Sequence, residues 1–316
     1  MVQSGKILLY YKYILLRNTG EIRNWQRQLC IQLKLKGRVI IASEGINGTV
    51  GGSDEAITAY VAAMKAHPLF ADVDFKESEG GAWSFPRMRI VIRNQIVHWG
   101  KKLEEPDLLQ RGIHLQPQAV HELLTNKPEN LLIFDARNVY ESRIGAFENA
   151  LKPSIDKFRD LPEYIDENLD IFKGKQVLMY CTGGIRCEPA SAYLKSKGVA
   201  QEVYQVQGGI HRYVEQYPEG YFRGKNYVFD GRCAVSVTAD VLTTCDLCQV
   251  TCDEYVNCTN AECNEQFIAC EQCQAMLKES CSKNCFELVQ TGKVVKRAAP
   301  ARLFPPTESD PIADQL

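Results

Sequence analysis

Near its carboxyl end, the chain carries a dense cluster of cysteines that restricts how this region can fold. Nine of the 13 cysteines in the 316-residue sequence lie between Cys245 and Cys285, a stretch too short for a conventional apolar core. The sequence shows no signal-peptide core, and clustered cysteines without a secretory signal more often bind metal than form disulfides. Residues 245–290 are therefore predicted to form a small metal-binding module.

The spacing of these cysteines favours zinc. Cys245-x2-Cys248 and Cys270-x2-Cys273 are short pairs, and two such pairs present four thiolates to one tetrahedral ion. Eight of the nine thiolates would hold two zinc ions and leave one spare. One zinc with free thiols, disulfides formed on oxidation, and an iron–sulfur cluster are the alternatives. The candidate ligands are Cys245, Cys248, Cys252, Cys258, Cys263, Cys270, Cys273, Cys281 and Cys285.

Composition and charge indicate a globular, cytoplasmic protein with an anionic partner. Hydrophobic residues make up 45% and charged residues 24% of the sequence, which excludes a disordered chain. No apolar run approaches the ~20 residues that span a bilayer, so no membrane association is expected. Residues 1–40 carry eight basic side chains and one acidic one, although the whole chain has a net charge of −2. The amino-terminal region is therefore predicted to contact a polyanion.

Residues 1–100 are predicted to form a ferredoxin-like α+β domain of the acylphosphatase-like kind. Strands are expected at residues 6–13, 38–42, 46–50, 73–76 and 88–92, and helices at 21–36 and 54–65, so the order β-α-β-β-α-β is followed by one further strand. One face of the first helix is apolar. Arg23, Arg27 and Lys34 are expected on another face and are the candidate nucleic-acid contacts.

The centre of the chain changes to an α/β pattern. A connector with a short helix is predicted at 101–125. Residues 126–221 follow as an α/β domain in which buried strands at 131–135, 176–180 and 202–205 alternate with helices, which indicates a parallel sheet covered on both faces. A linker is expected at 222–244 and a flexible tail at 291–316.

A loop between a predicted strand and a predicted helix carries the main chemical signal. Cys181 is followed by Thr182-Gly183-Gly184-Ile185-Arg186 and then by Cys187. Backbone N–H groups and the helix amino terminus favour the thiolate of Cys181 and should lower its pKa. The two glycines let the backbone curl around the sulfur, and Arg186 adds positive charge. Four residues separate Cys181 from Arg186, one fewer than in a cysteine phosphatase, so the loop suits a single extra sulfur better than phosphate.

These motifs resemble known families. The six residues Cys181 to Arg186 match the active loop of rhodanese sulfurtransferases, Phe134 to Glu141 resembles their first signature, and Gly208-Gly209-Ile210 resembles a glycine-rich turn late in that domain. Across almost the whole chain, the sequence is similar to the rhodanese-containing tRNA uridine hydroxylases. The motifs that carry this wider resemblance are Ser43-Glu44-Gly45-Ile46-Asn47-Gly48-Thr49, the Cys181 loop continuing as Cys187-Glu188, and His211-Arg212-Tyr213 before the cysteine cluster.

The wider resemblance implies an activity and a catalytic residue. Members of that family convert the wobble uridine of tRNA to 5-hydroxyuridine with dioxygen, and their loop cysteine, which corresponds to Cys181, is the proposed catalytic residue. The sequence does not indicate the electron donor. It shows no dinucleotide fingerprint, Walker loop or facial triad, so no nucleotide cofactor is expected.

Residues around Cys181 have two interpretations each. Cys187 is a candidate resolving thiol or a small packing residue. Arg137 is a candidate site-lining residue or the structural partner of Glu141, and pairing with Arg137 is the expected role of Glu141. His211 is a candidate site-lining residue or a packed, hydrogen-bonded one.

Two other functions compete with hydroxylation. One is a rhodanese-type sulfurtransferase with a persulfide on Cys181. The other is a zinc-dependent RNA-binding protein whose rhodanese domain is not catalytic, against which the intact cysteine, glycine pair and arginine of the loop argue.

Overall fold

The amino-terminal part of the chain is a five-stranded sheet with two helices on one face. The computed structural model describes residues 5–101 and 110–297. The first elements are β1 (Gly5–Tyr13), α1 (Thr19–Gln32), β2 (Lys36–Ala42), β3 (Gly45–Ser53), α2 (Asp54–Ala66), β4 (Lys76–Glu79) and β5 (Met88–Ile92). The sheet order is β4-β1-β3-β2-β5, and only β5 pairs in parallel, with β2. This arrangement confirms the predicted ferredoxin-like order, to which β5 adds an edge strand.

Side-chain caps determine where both helices begin. Asn18 accepts a hydrogen bond from the N–H of Glu21 at the start of α1, and Ser53 accepts one from the N–H of Ala56 at the start of α2. Each cap is worth about 1 kcal/mol, because it satisfies an N–H group that has no partner inside the helix. The apolar faces of both helices then pack on the same side of the sheet.

Two predicted boundaries in this region are wrong. The first helix, expected at 21–36, ends at Gln32, because the chain must turn into β2 and Lys34 adopts a left-handed φ of 52° in that turn. Lys34 therefore lies beyond the helical face that carries Arg23 and Arg27. The strand expected at 73–76 is instead Lys76–Glu79.

The central part of the chain forms a parallel sheet that is covered on both faces. Its elements are β6 (Ile113–Leu115), α3 (Pro117–Asn126), β7 (Leu131–Asp135), α4 (Val139–Ser142), β8 (Gly145–Phe147), α5 (Leu161–Glu167), α6 (Leu169–Phe172), β9 (Gln176–Tyr180), α7 (Cys187–Ser196), β10 (Glu202–Val206) and α8 (Gly209–Gln216). The strand order β6-β10-β9-β7 is parallel throughout. Val177 and Met179 of β9 enter one apolar core, whereas Leu178 and Tyr180 enter another, which explains the uninterrupted apolar sequence of this strand.

The stretch 222–244, predicted to be a linker, contains two strands. These are β11 (Phe222–Tyr227), which pairs with β8, and β12 (Ala234–Ser236), which pairs with β11. The linker prediction is therefore wrong. The strand was not recognised because two of the buried positions of β11 are Gly224 and Asn226, so the sequence lacks the alternation of apolar and polar residues that is typical of a strand.

The cysteine-rich module completes the described chain. It contains β13 (Tyr255–Asn257), β14 (Gln266–Ile268), α9 (Glu271–Leu277) and α10 (Lys283–Gln290). Of the predicted tail, residues 291–297 are described, and Arg297 donates from Nε to the carbonyl of Cys258 at 2.9 Å. The tail beyond residue 297 lies outside the described residues. None of the described helices is both long enough and apolar enough to cross a membrane.

Candidate functional site

Cys181 lies at the carboxyl end of β9, in the loop that leads into α7. Its side chain is fully buried, and the N–H of Gly184 donates to Sγ at 3.1 Å. Gly184 has a φ of 102°, which only glycine adopts without strain, so this residue type is required for the N–H to point at the sulfur. On the other side, an added Cβ at Gly209 would lie 2.4 Å from the carbonyl oxygen of Cys181.

The surroundings of Cys181 favour its thiolate. Burial alone would raise the pKa of the thiol, but a hydrogen bond from Cys187, the charge of Arg186 and the N–H groups of Arg186 and Gly184 together lower it to about 6. Burial and the neighbouring Cys181 sulfur raise the pKa of Cys187 well above its ordinary value. At neutral pH, Cys187 is therefore the protonated donor and Cys181 the anionic acceptor.

The positive charge of Arg186 is matched inside the protein. Its Nη1 and Nη2 lie 2.5 and 2.6 Å from the two carboxylate oxygens of Glu141, which is itself fully buried. Thr182 also donates from Oγ1 to Glu141 at 3.2 Å. Arg186 therefore organises the loop as half of a buried ion pair, and it is less available to an incoming anion than the sequence indicated.

The predicted pairing of Glu141 with Arg137 is wrong. Arg137 instead donates from Nε and Nη2 to Asp135 at 2.9 and 2.7 Å, and from Nη2 to the carbonyl of Gly145. Asp135 ends β7 only two residues before Arg137, so this bidentate pair is local and leaves Glu141 to Arg186. Arg137 is fully buried, and its guanidinium also lies 5.5 Å from the Tyr180 ring.

The first domain closes over the Cys181 loop. A Cβ added at Gly183 would lie 2.7 Å from Cδ2 of Leu9, and one at Gly184 would lie 2.8 Å from the hydroxyl oxygen of Tyr11. Both β1 residues face away from the helices of their own domain. The two glycines therefore do more than curl around the sulfur, since they also allow close approach of β1.

A buried carboxylate joins the two domains next to the loop. Tyr11 donates to Oε1 of Glu188 at 2.9 Å, and Nε2 of His114 lies 3.0 Å from the same oxygen. No motif in the sequence marks Tyr11 or His114. Because side chains alternate along a strand, the sequence of β1 could have indicated that Leu9 and Tyr11 lie on the face opposite to the core residues Leu8 and Tyr10.

His211 lies beside the loop in its neutral form. Its backbone N–H donates to the carbonyl of Thr182 at 3.2 Å. Burial and then the positive charges of Lys76 and Arg232 lower the pKa of His211 to about 4. At neutral pH this imidazole therefore adds no positive charge to the site.

The cysteine cluster divides into two groups of four. One group is Cys245, Cys248, Cys270 and Cys273, and the other is Cys258, Cys263, Cys281 and Cys285. Within each group all four sulfur atoms lie within 4.8 Å of one another. Cys252 lies outside both groups, so it is the spare cysteine, and its prediction as a metal ligand is wrong.

The sulfur separations fit a single ion at the centre of each group. A regular tetrahedron with Zn–S bonds of about 2.3 Å has sulfur atoms about 3.8 Å apart. The separation is 3.6 Å for Cys248 and Cys270, 3.6 Å for Cys263 and Cys281, and 3.8 Å for Cys281 and Cys285. An iron–sulfur cluster places several iron and sulfide atoms between the thiolates, so groups this tight disfavour it.

An arginine-lined groove lies between α1 and the added edge strand β5. We call it the arginine groove, and its cavity volume is about 520 Å³. Its lining residues are Arg23, Arg27, Ile31, Arg87, Met88, Arg89 and Ile90. The structure thus brings Arg23 and Arg27 together with Arg87 and Arg89, which were not expected from the sequence, and it leaves Lys34 outside the groove.

Positive charge is crowded along this edge of the sheet. Burial, followed by the charges of Arg89 and Arg93, lowers the pKa of nearby Arg38. Arg23, Arg27, Arg87 and Arg89 are all exposed. An exposed groove with this many guanidinium groups suits a chain of phosphates.

Three family models match successive parts of the chain. Residues 5–96 match the "UPF0176 acylphosphatase like domain", residues 116–216 the "Rhodanese-like domain", and residues 223–286 the "Rhodanase C-terminal" family. The first two descriptions agree with the ferredoxin-like and rhodanese folds expected from the sequence.

Curated relatives match over nearly the full chain. A protein of Corynebacterium urealyticum is 39% identical over 290 residues, which cover 89% of this chain and 97% of the relative. One of Corynebacterium jeikeium is 40% identical (87% and 91% covered), and one of Cytophaga hutchinsonii is 40% identical (90% of each covered). All three relatives carry the name tRNA uridine(34) hydroxylase.

Proposed function

We infer that this chain, which belongs to the tRNA uridine(34) hydroxylase family, hydroxylates uridine 34 of tRNA. The observation that carries this conclusion is the near-complete coverage by relatives of that name at 39–40% identity. The product we propose is 5-hydroxyuridine, with dioxygen as the co-substrate and an electron donor supplied from outside the chain.

Within this function, Cys181 is the proposed reacting group. Its pKa of about 6 makes it an anion at neutral pH, and the thiolate is the nucleophilic form of cysteine. The N–H of Gly184 and the thiol of Cys187 would hold the sulfur in place. The active loop we propose is Cys181, Thr182, Gly183, Gly184, Ile185 and Arg186, in which the Arg186–Glu141 pair fixes the backbone.

The arginine groove is the proposed contact for the tRNA backbone. The proposal rests on Arg23, Arg27, Arg87 and Arg89, which replace the set of Arg23, Arg27 and Lys34 expected from the sequence. Contacts between guanidinium groups and phosphates supply affinity without base specificity. Choice of the wobble uridine would then depend on the region around Cys181.

Zinc is the proposed ion of the cysteine-rich module, with one ion in each four-cysteine group. Four thiolates at tetrahedral separations are the donor set of structural zinc sites. A closed set of four ligands leaves no open position for substrate, so the role proposed for both ions is to hold the fold.

Sulfur transfer is the second candidate, because the loop has the length of a rhodanese loop. Nucleoside mass spectrometry of tRNA from cells with and without the gene separates the functions. Loss of 5-hydroxyuridine without the gene is the expected result. Loss of a thionucleoside would establish sulfur transfer instead, and an unchanged nucleoside profile would leave RNA binding alone.

A further inference from the structure

Two cationic side chains lie beside the Cys181 loop, and they differ in how their charge is compensated. Arg186 belongs to the loop and pairs through both terminal nitrogens with the buried carboxylate of Glu141. Lys76 comes from β4 in the other domain. Its side chain is only 2% exposed, which is unusual for lysine because removing an ammonium group from water is costly.

The partner of Lys76 compensates its charge only in part. Nζ of Lys76 lies 2.9 Å from Oδ2 of Asp74, whose side chain is 50% exposed. Asp74 is shared, because Nη2 of Arg212 lies 2.5 Å from its other oxygen. Arg212 also pairs with Glu215, and both of these side chains are at least 30% exposed. Among the four charged residues Lys76, Asp74, Arg212 and Glu215, only Lys76 has a buried side chain. The positive charge of this group therefore lies on its buried side.

The backbone and ring contacts of Lys76 place it against the loop that holds the sulfur. Lys76 is opposite Leu9 in the β1–β4 ladder, and Leu9 contacts Gly183. Nζ lies 5.3 Å from the centre of the Tyr11 ring, whose hydroxyl contacts Gly184. On the other side, Cε of Lys76 would lie 3.2 Å from a Cβ added at Gly208.

From this geometry we propose that Lys76 is a positioning residue of the Cys181 site, which supplies partly compensated positive charge that stabilises the anionic sulfur. The proposal deepens the proposed function by adding a residue from the first domain to the site, and it rests on Cys181 as the reacting group. Burial and then Arg212 lower the pKa of Lys76, whereas Asp74 and, to a smaller extent, the Cys181 thiolate act in the opposite direction.

Other titratable or charged groups face this region and must stay constant in a test. They are Tyr11 on β1, Glu141 on α4, Arg186 in the loop, Cys187 and Glu188 on α7, His114 on β6, His211 and Arg212 on α8, and Asp230 and Arg232 after β11. Because His211 is neutral and Arg186 stays paired with Glu141 in every variant, a change in the profile reports the charge of Lys76.

The test is the pH dependence of Cys181 alkylation in the full-length chain. Lys76→Met removes the charge and keeps an apolar stem of similar length, so we expect the fold to survive; Lys76→Gln is the second variant if it does not. The matched control is Lys6→Met, on the same β1–β4 ribbon but 46% exposed. Iodoacetamide labelling is read by mass spectrometry on the tryptic peptide 176–186, in which Cys181 is the only cysteine.

We expect the midpoint of the alkylation profile to move up by about 0.5–1 pH unit in Lys76→Met, the size of one charge acting across several ångströms of protein. Lys76→Arg and Lys6→Met should keep the wild-type midpoint. A folded Lys76→Met protein with the wild-type midpoint would overturn the proposal. This readout needs no tRNA, so it is independent of whether the chain hydroxylates uridine 34.

Discussion

Replacing Cys187 separates its contribution to the Cys181 thiolate from a role as a resolving thiol. Hydrogen bonding by the thiol of Cys187 is among the causes that lower the pKa of Cys181 to about 6. Cys187→Ala removes this donor, whereas Cys187→Ser keeps a hydroxyl donor of similar size. The two substitutions therefore form a matched pair.

The size of the effect follows from one weak hydrogen bond. A thiol donor is worth about 1 kcal/mol, so its loss should raise the pKa of Cys181 by about 0.7 units. A raised pKa reduces the thiolate fraction only where the thiol is wholly or partly protonated, so alkylation of Cys181 should slow about fivefold at pH 5. Above pH 8, where Cys181 is ionised in both proteins, the rates should be equal.

The assay is peptide-resolved iodoacetamide labelling between pH 5 and 9. We expect the alanine variant to shift to higher pH and the serine variant to follow wild type. Identical profiles for the alanine variant and wild type would refute the hydrogen-bond argument. If the serine variant keeps the wild-type profile but loses tRNA hydroxylation, Cys187 acts as a resolving thiol in addition to its role as a donor.

Three further predictions concern the groove, the metal and the buried ion pair. Arg23→Glu with Arg27→Glu should weaken tRNA binding and flatten the log–log salt dependence by about 0.7–0.9 for each lost contact, whereas Lys34→Glu should change the slope little; filter binding from 50 to 200 mM salt checks this. Metal analysis of protein purified under reducing conditions should give two zinc equivalents, and Cys252→Ala should retain both; loss of one equivalent in that variant would contradict the four-plus-four assignment. Arg186→Ala should lower the free energy of unfolding by about 3 kcal/mol, because it leaves the buried carboxylate partner without a counter-charge; denaturant unfolding measures this, and an unchanged midpoint would show that the pair contributes little.

Local patterns in the sequence were sufficient for the order of elements and for the Cys181 loop. The run Gln176–Tyr180 is apolar at every position but the first, because it is buried on both faces, and the glycine pair that follows marks the strand end. Such signals depend only on neighbouring residues. The same holds for the four-cysteine groups, whose short pairs are visible in the sequence although their partition was not.

Features that depend on contacts between distant residues were missed. Tyr11 and Lys76 reach the Cys181 loop from another domain, and no local pattern marks a tyrosine or lysine for that contact. Arg87 and Arg89 join the groove only because β5 adds to the edge of β2. The helix boundary at Gln32 depends on a left-handed turn at Lys34, and a lysine in the sequence does not predict that conformation.

The most direct test of the account is complementation with a Cys181→Ser chain. A serine hydroxyl is not ionised at neutral pH, so this variant keeps the shape of the loop and loses the anion. In cells that lack the native gene, the wild-type chain should restore 5-hydroxyuridine at position 34 of tRNA, measured by nucleoside mass spectrometry, and the variant, expressed at an equal level, should restore none. Restoration of wild-type amounts by Cys181→Ser would contradict the central claim that the Cys181 thiolate is the reacting group.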